Sequence, residues 1–137
     1  MKGVVIDDAK IRRTTQKYVD LIRIKTPSIR TLARSLSGGN QQKVVVAKQL
    51  AADPKLIILD EPTKGVDVGS KAQIYEIMSD LASKGMAILM ISSEMPEVIN
   101  MSDRIYVMSE GKISAEFNAK GVTQDAILKV AMPKSKE

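Results

Sequence analysis

The chain has 137 residues, a length that suits one modest domain able to bury its own core without disulfides or a structural metal. It contains no cysteine and no histidine, which excludes disulfide bridges, zinc sites of the usual ligand types and a histidine general base. The net charge of +5 comes from the first 35 residues, where nine Lys and Arg accompany three Asp, and the remaining residues are close to neutral.

The basic segment and the scarcity of aromatic residues limit the possible partners. A basic segment can contact phosphates or a membrane surface, but a solvated helix face explains the same composition. With one Phe, three Tyr and no Trp, the chain offers few side chains on which nucleic-acid bases could stack, and we expect no nucleic-acid partner. No apolar run approaches the roughly 20 residues that span a bilayer, so we expect a soluble or peripheral protein.

Two helices are predicted in the first part of the chain. Apolar residues recur near helical spacing over residues 7–24. Pro27 is expected to end this helix, because the residue before a proline is disfavoured in the α region. A second helix is predicted over residues 40–52, with Ser37 near its N-cap.

An alternation of strands and helices follows. The apolar run at residues 56–59 is too short for a helix and predicts a strand buried on both faces. A helix over 68–83 and a strand over 87–91 complete a strand, helix, strand order, which is typical of a parallel sheet. The later predicted elements are a short helix over 95–100, a hairpin at the sheet edge with strands over 104–108 and 112–117, and a last helix over 123–131.

The glycine turn before the second helix is a candidate phosphate contact. Gly38 and Gly39 would let backbone N–H groups approach a ligand, and a helix N-terminus favours an anion. A plain serine N-cap after a flexible turn has the same residues, so this motif alone does not decide between the two interpretations.

Two carboxylates follow the strand over 56–59. They stand at its C-terminal edge, where ligands of open α/β sheets bind. Because adjacent residues of a strand project to opposite sides, Asp60 could hold the magnesium ion of a nucleotide while Glu61 polarises the attacking water. A helix cap or an ordinary loop charge is an equally weighted alternative for this pair.

The order of the motifs adds to these separate indications. The phrases LSGGNQQKVVVAKQLA, ILDEPTKGVDVG, ISSEMPEV and MSDRIYVMSEGKI resemble the signature, Walker B with D-loop, and switch segments of ABC-type ATPases. They are most similar to the second ATP-binding half of tandem ATPases from bacterial importers of ribose, galactose or xylose. The resemblance is dense over residues 35–117.

This resemblance implies a fold and a domain organisation. The fold would be a partial P-loop NTPase fold of the ABC ATPase type, α/β with a parallel sheet core, a helical segment at the N-terminus and the P-loop half missing. Residues 1–35 would belong to the helical subdomain. Residues 36–137 would form the signature, Walker B and switch portion of the ATPase domain.

The resemblance also implies a role for individual residues. The catalytic residues would be Glu61, in the Walker B role, and Ser93, at a switch position that is commonly His, although a simple loop serine is an equal alternative. Asp60 would face the Mg²⁺ bound with ATP. The remaining nucleotide-binding residues would be those that face ATP held by another ATP-binding half, namely Ser37, Gly38, Gly39, Gln41 and, from the D-loop, Asp67.

The sequence departs from the family pattern in lacking a P-loop, and this determines which partners we expect. A P-loop requires the string GxxxxGK[ST], and the 137 residues contain none. We therefore expect the chain to need a P-loop portion, a second ATP-binding half and membrane permease subunits, and to bind ATP and Mg²⁺ only in the complete protein at the cytoplasmic face of the inner membrane. Alone it should be inactive, and its uncovered apolar surface should favour a dimer or larger assembly.

Two other interpretations stay open at this point. An ABC-superfamily ATPase of DNA maintenance would use the basic segment on DNA, but such proteins attach long heptad arms before the signature, and the sequence has none. An interaction module with no nucleotide role would tolerate substitution of Asp60 and Glu61. The sequence does not name the sugar, because solute choice in such importers lies with the permease and the binding protein.

Overall fold

The structure is a computed structural model that describes residues 7–133. They fall into two compact units, divided between Leu89 and Met90. The first unit contains α1 (Asp8–Leu21), a 3-10 turn (Ala33–Ser35), α2 (Gly38–Leu50), β1 (Leu56–Asp60), α3 (Val68–Ser83) and the start of β2 (Ala87–Ile91). The second unit contains the end of β2 and then α4 (Met95–Met101), β3 (Arg104–Ser109), β4 (Lys112–Asn118) and α5 (Gln124–Ala131).

Helix α1 begins as predicted but ends earlier. The Asp7 side chain caps it by accepting a hydrogen bond of 2.9 Å from the Lys10 amide. The helix stops at Leu21, because Arg23 adopts a left-handed conformation with φ of 53° and the Ile24 amide turns back to the Val19 carbonyl. The predicted stop at the proline is therefore wrong, since a left-handed residue ends the helix first.

Strand β1 is buried on one face only. Ile57 and Leu59 are buried, whereas Leu56 and Ile58 are each 51% exposed. The predicted burial of both faces is wrong, because the elements of the first unit cover only one side of this strand. Alternating side chains of a strand point to opposite faces, so the uncovered side presents a row of apolar groups.

The predicted α/β core with a parallel sheet is confirmed. Strands β1 and β2 are neighbours in a two-stranded sheet, with α3 as the connection between them. The Ala87 amide donates to the Lys55 carbonyl at 3.0 Å where the two strands start. The two helices supply most of the buried hydrophobic residues of this unit, namely Val46, Ala47 and Leu50 of α2 and Ile74, Met78 and Leu81 of α3.

The second unit contains the predicted hairpin. Strands β3 and β4 pair antiparallel around Glu110 and Gly111, whose φ angles of 49° and 76° suit a tight hairpin turn. A core of Ile105, Val107, Ala119 and Ile127 joins the hairpin to α5. Within the described residues the hairpin is a two-stranded sheet of its own, so the prediction that it forms the edge of the parallel sheet is wrong.

Between residues 7 and 133, no helix combines the length and the apolar character required to cross a membrane.

Candidate functional site

The turn that opens α2 is organised by side chains of its own motif. Ser37 is the N-cap residue, as predicted, and its hydroxyl accepts a hydrogen bond of 2.9 Å from the Asn40 side-chain amide. The carbonyl oxygen of the Asn40 side chain accepts from the Lys25 amide at 2.8 Å, and the Gln41 side chain donates to the Leu36 carbonyl at 2.8 Å. These bonds hold the LSGG turn in place and leave Ser37 and Gly38 exposed.

The signature turn lies directly against the start of α3. A Cβ atom on Gly39 would fall 2.3 Å from the Ser70 hydroxyl oxygen and 2.5 Å from the Ser70 Cβ. A Cβ atom on Gly38 would meet only the Gly65 carbonyl oxygen, at 4.0 Å. The structure thus brings the predicted signature and D-loop segments together, and it requires glycine at position 39 for this close approach.

The aspartate predicted for the D-loop caps α3. Asp67 accepts hydrogen bonds from the Ser70 amide at 2.9 Å and from the Ser70 hydroxyl at 2.7 Å. The Ser70 hydroxyl is the largest cause that lowers the pKa of Asp67, and the Ser70 amide adds to it. The cap is therefore fully formed at neutral pH and is lost only as the pH falls through that lowered pKa.

Ser70 contacts the candidate site, and the sequence interpretation did not name it. It contacts Gly39 of the signature turn and bonds Asp67 of the D-loop. The spacing of Asp67 and Ser70 is a common helix N-cap pattern, so a signal was present in the sequence.

The two carboxylates predicted for Walker B lie where β1 ends. Asp60 is the last residue of the strand and is exposed, and the half-buried Glu61 has a φ of 47°. Glu61 has thus left the strand, so strand alternation does not separate the two side chains as predicted. A left-handed conformation at a residue other than glycine costs on the order of 1–3 kcal/mol and persists only where the surrounding structure fixes it.

The turn after Glu61 is buried and hydrogen-bonded. Pro62 and Thr63 are buried, the Lys64 amide donates to the Glu61 carbonyl at 3.2 Å, and the Val66 amide donates to the Thr63 carbonyl at 3.3 Å. The surrounding structure therefore fixes the backbone of Glu61.

The carboxylates fit a magnesium ion that is shared with a nucleotide. Within residues 7–133 no group of three or more His, Cys, Asp or Glu could hold a metal ion by itself. Mg²⁺ at nucleotide sites takes one or two carboxylates together with phosphate oxygens and water. Asp60, with Glu61 beside it, supplies that number of carboxylates.

The predicted switch residue belongs to the second unit. Ser93 is exposed, and its neighbour Ser92 organises the turn before α4 by donating to a Glu97 carboxylate oxygen and accepting from the Glu94 amide at 3.0 Å. Glu97 is buried. The switch role of Ser93 stays a prediction.

The Gly39 contact yields a matched pair of substitutions. Gly39→Ala should lower the free energy of unfolding by roughly 1–3 kcal/mol, the usual cost of overpacking, because the added methyl group overlaps Ser70. Gly38→Ala, in the same turn, meets no close atom and should be much milder. Urea unfolding of both variants measures this difference in the free energy of unfolding. The double variant Gly39→Ala/Ser70→Gly should regain part of the stability that Gly39→Ala loses. Equal effects of the two alanines would contradict the contact.

Comparisons with known proteins first indicate the class of protein that this chain resembles. The ABC transporter family model matches residues 6–64. A solved ATP-binding cassette of an ABC transporter is 27% identical with a TM-score of 0.77, over 97% of this chain and 54% of that chain. The ADP conformation of such a cassette is 28% identical with a TM-score of 0.72, over 96% of this chain and 49% of that one. The fold is that of part of an ABC ATPase cassette, as predicted.

The curated relatives narrow the class. The xylose import ATP-binding protein XylG of Thermoanaerobacter pseudethanolicus is 52% identical over 126 residues, which are 92% of this chain and 25% of the relative. The arabinose import ATP-binding protein AraG of Paraburkholderia xenovorans is 48% identical over 97% of this chain and 26% of the relative. The chain is therefore similar to the ATP-binding proteins of ABC-type sugar importers, and it spans about a quarter of the length of the curated relatives it matches.

Proposed function

We propose that this chain is the signature and Walker B portion of an ABC-type ATPase that couples ATP hydrolysis to sugar import. The contact of Gly39 with Ser70, which joins the signature turn to the capped D-loop, carries the proposal. The names of the sugar import relatives supply the substrate class. No observation on the described residues favours the DNA-maintenance alternative.

The signature turn is proposed to meet the γ-phosphate of ATP that another ATP-binding half holds. The exposed N-terminus of α2 favours an anion, and Ser37, Gly38 and Gly39 would present their backbone amides to it. Gln41 would join them only after its side chain releases the Leu36 carbonyl. Asp67 would face the same interface from the D-loop.

The Walker B pair is proposed to serve the nucleotide of its own domain. ATP is the substrate, and the bound Mg²⁺ would neutralise phosphate charge while Asp60 holds it. Glu61 would orient a water molecule toward the γ-phosphorus and accept its proton as the bond to ADP breaks. Ser93 would stand at the switch position, where it can donate a hydrogen bond but cannot replace a histidine base.

The uncovered face of the parallel sheet is proposed to receive the P-loop portion of the domain. Leu56, Ile58 and Leu89 are 51%, 51% and 46% exposed in the first unit. The solved cassettes are about twice as long as the part that matches this chain. A second ATP-binding half and membrane permease subunits would complete the assembly at the cytoplasmic face of the membrane.

The same face should drive self-association when the chain is alone. Exposed apolar patches promote contacts between copies, so the purified chain should be a dimer or larger at high concentration. Ile58→Thr/Leu89→Thr should shift it toward the monomer, whereas Ile113→Thr, at a still more exposed isoleucine of β4, should not. Light scattering across a concentration series measures the oligomeric state. A strictly monomeric unsubstituted chain would contradict the expected self-association.

The proposed function is tested by a chimera. The matching segment of the xylose import relative is replaced by this chain, and ATP hydrolysis by the purified chimera and xylose import in cells without the native ATPase are measured. We expect the chimera to hydrolyse ATP and to restore xylose import. A folded chimera that neither hydrolyses ATP nor restores import would overturn it.

A further inference from the structure

A buried lysine lies in the middle of the signature helix. Lys43 is only 2% exposed, and its ammonium group donates to the Arg23 backbone carbonyl at 3.0 Å and to the Gln73 side-chain carbonyl at 2.6 Å. Lysine is rarely this buried unless it is paired, and both of these acceptors are uncharged. A lysine held in this way at a buried position calls for a reason beyond core packing.

The partners of Lys43 connect three elements. Arg23 is the left-handed residue that ends α1, and Gln73 lies in α3, whose N-cap is Asp67. One turn before Lys43 on the same face of α2 is Gly39, and one turn before Gln73 on α3 is Ser70. Helices α2 and α3 therefore make two successive contacts, Gly39 with Ser70 and Lys43 with Gln73. Two contacts along a helix pair fix both sliding and rotation, which one contact cannot do.

The burial of Lys43 is electrostatically unfavourable. Burial is the largest cause that lowers its pKa, the nearby Lys25 and Arg23 charges lower it further, and Glu76 acts in the opposite direction. Because both of its acceptors are uncharged, no opposite charge in those bonds offsets this cost. The two hydrogen bonds instead join three elements, so the lysine is better explained by what those bonds align than by stability.

We propose that Lys43 is a positioning residue that keeps the signature helix in register with the D-loop helix and with the end of α1. This inference rests on the proposed function, because it takes the N-terminus of α2 to meet a nucleotide. Through Lys43, the exposed amides of the signature turn and Asp67 would reach a composite ATP site as one rigid group. The Arg23 carbonyl would transmit a shift of α1 to that group.

Kinetics of the chimera test the catalytic consequence. Lys43→Met and Gln73→Leu should each lower kcat for ATP hydrolysis roughly 10- to 100-fold, as small misplacements of catalytic groups do, with KM for ATP nearly unchanged in variants that stay folded. Gln73→Glu, which keeps an acceptor, and Lys48→Met, at an exposed lysine of the same helix, should retain kcat. An unchanged kcat in Lys43→Met and Gln73→Leu, or a joint loss of kcat, ATP affinity and melting temperature, would overturn the inference.

A second measurement does not depend on ATP hydrolysis. In the isotopically labelled 137-residue chain, Lys43→Met should move the amide resonances of Gly39 and Ser70, while Lys48→Met should leave them in place. Unmoved Gly39 and Ser70 resonances would overturn the alignment by Lys43. If these resonances move but the unsubstituted chimera is inactive, the proposed function fails and the alignment by Lys43 stands.

Discussion

Glu61→Gln in the chimera is expected to leave Mg-ATP binding intact and to slow hydrolysis at the site it serves by roughly 10²- to 10⁴-fold, the usual contribution of a positioned general base. Glutamine has nearly the same shape and can keep the left-handed backbone at φ of 47°. It cannot accept the proton of the attacking water. Single-turnover hydrolysis and calorimetric ATP titration, performed on the same sample, separate these two steps.

The chain offers a matched control for this substitution. Glu110 is also a glutamate in a left-handed turn, with φ of 49°, but it lies at the tip of the hairpin. Glu110→Gln should change neither binding nor hydrolysis. Loss of ATP binding in Glu61→Gln would show that Glu61 is structural, and unchanged hydrolysis would remove it from the role of water-polarising residue.

Glu61 and the signature turn should act at different composite sites. In the proposed assembly the Walker B pair would serve the nucleotide of its own domain, whereas the signature turn at Gly39 would face the nucleotide of another half. The resemblance to tandem importer ATPases implies two composite sites, one of them degenerate. Hydrolysis followed at each site is therefore the relevant readout for Glu61→Gln, because sugar import combines the two sites.

The sequence predicted local structure better than tertiary contacts. The bounds of α3 and β2 agree with the prediction, since periodicity and turn residues determine them locally. The end of α1 did not agree, because Arg23 adopts a left-handed conformation that no residue preference signals. The exposed face of β1 could not be predicted either, because a short apolar run does not show which of its faces will be covered.

The sequence predicted the motif residues of the candidate site but not the contacts between them. The resemblance named Gly39, Asp60, Glu61 and Asp67 for roles that stay predictions. It did not indicate that Ser70 touches Gly39 or that Lys43 is buried, because both depend on the packing of α2 against α3, which are distant in the sequence. A lysine within a helix ordinarily predicts an exposed face.

The chain alone is expected to show no saturable Mg-ATP binding below millimolar concentration and no ATPase activity above background. Most phosphate and metal contacts of a P-loop NTPase come from the P-loop backbone, its lysine and its hydroxyl, and the sequence has no such string. A helix N-terminus contributes about 0.3 to 2 kcal/mol toward an anion. Micromolar binding requires about 8 kcal/mol, so the signature turn and Asp60 fall several kcal/mol short.

The central claim is that the chain contributes the signature and Walker B groups, whereas the main nucleotide contacts lie in the P-loop portion. The most direct test is a pair of calorimetric titrations with Mg-ATP, one of the 137-residue chain and one of the chimera. We expect saturable micromolar binding by the chimera and none below millimolar concentration by the chain. Micromolar binding by the chain alone, or hydrolysis by it that Glu61→Gln abolishes, would show that the chain holds the main nucleotide contacts itself.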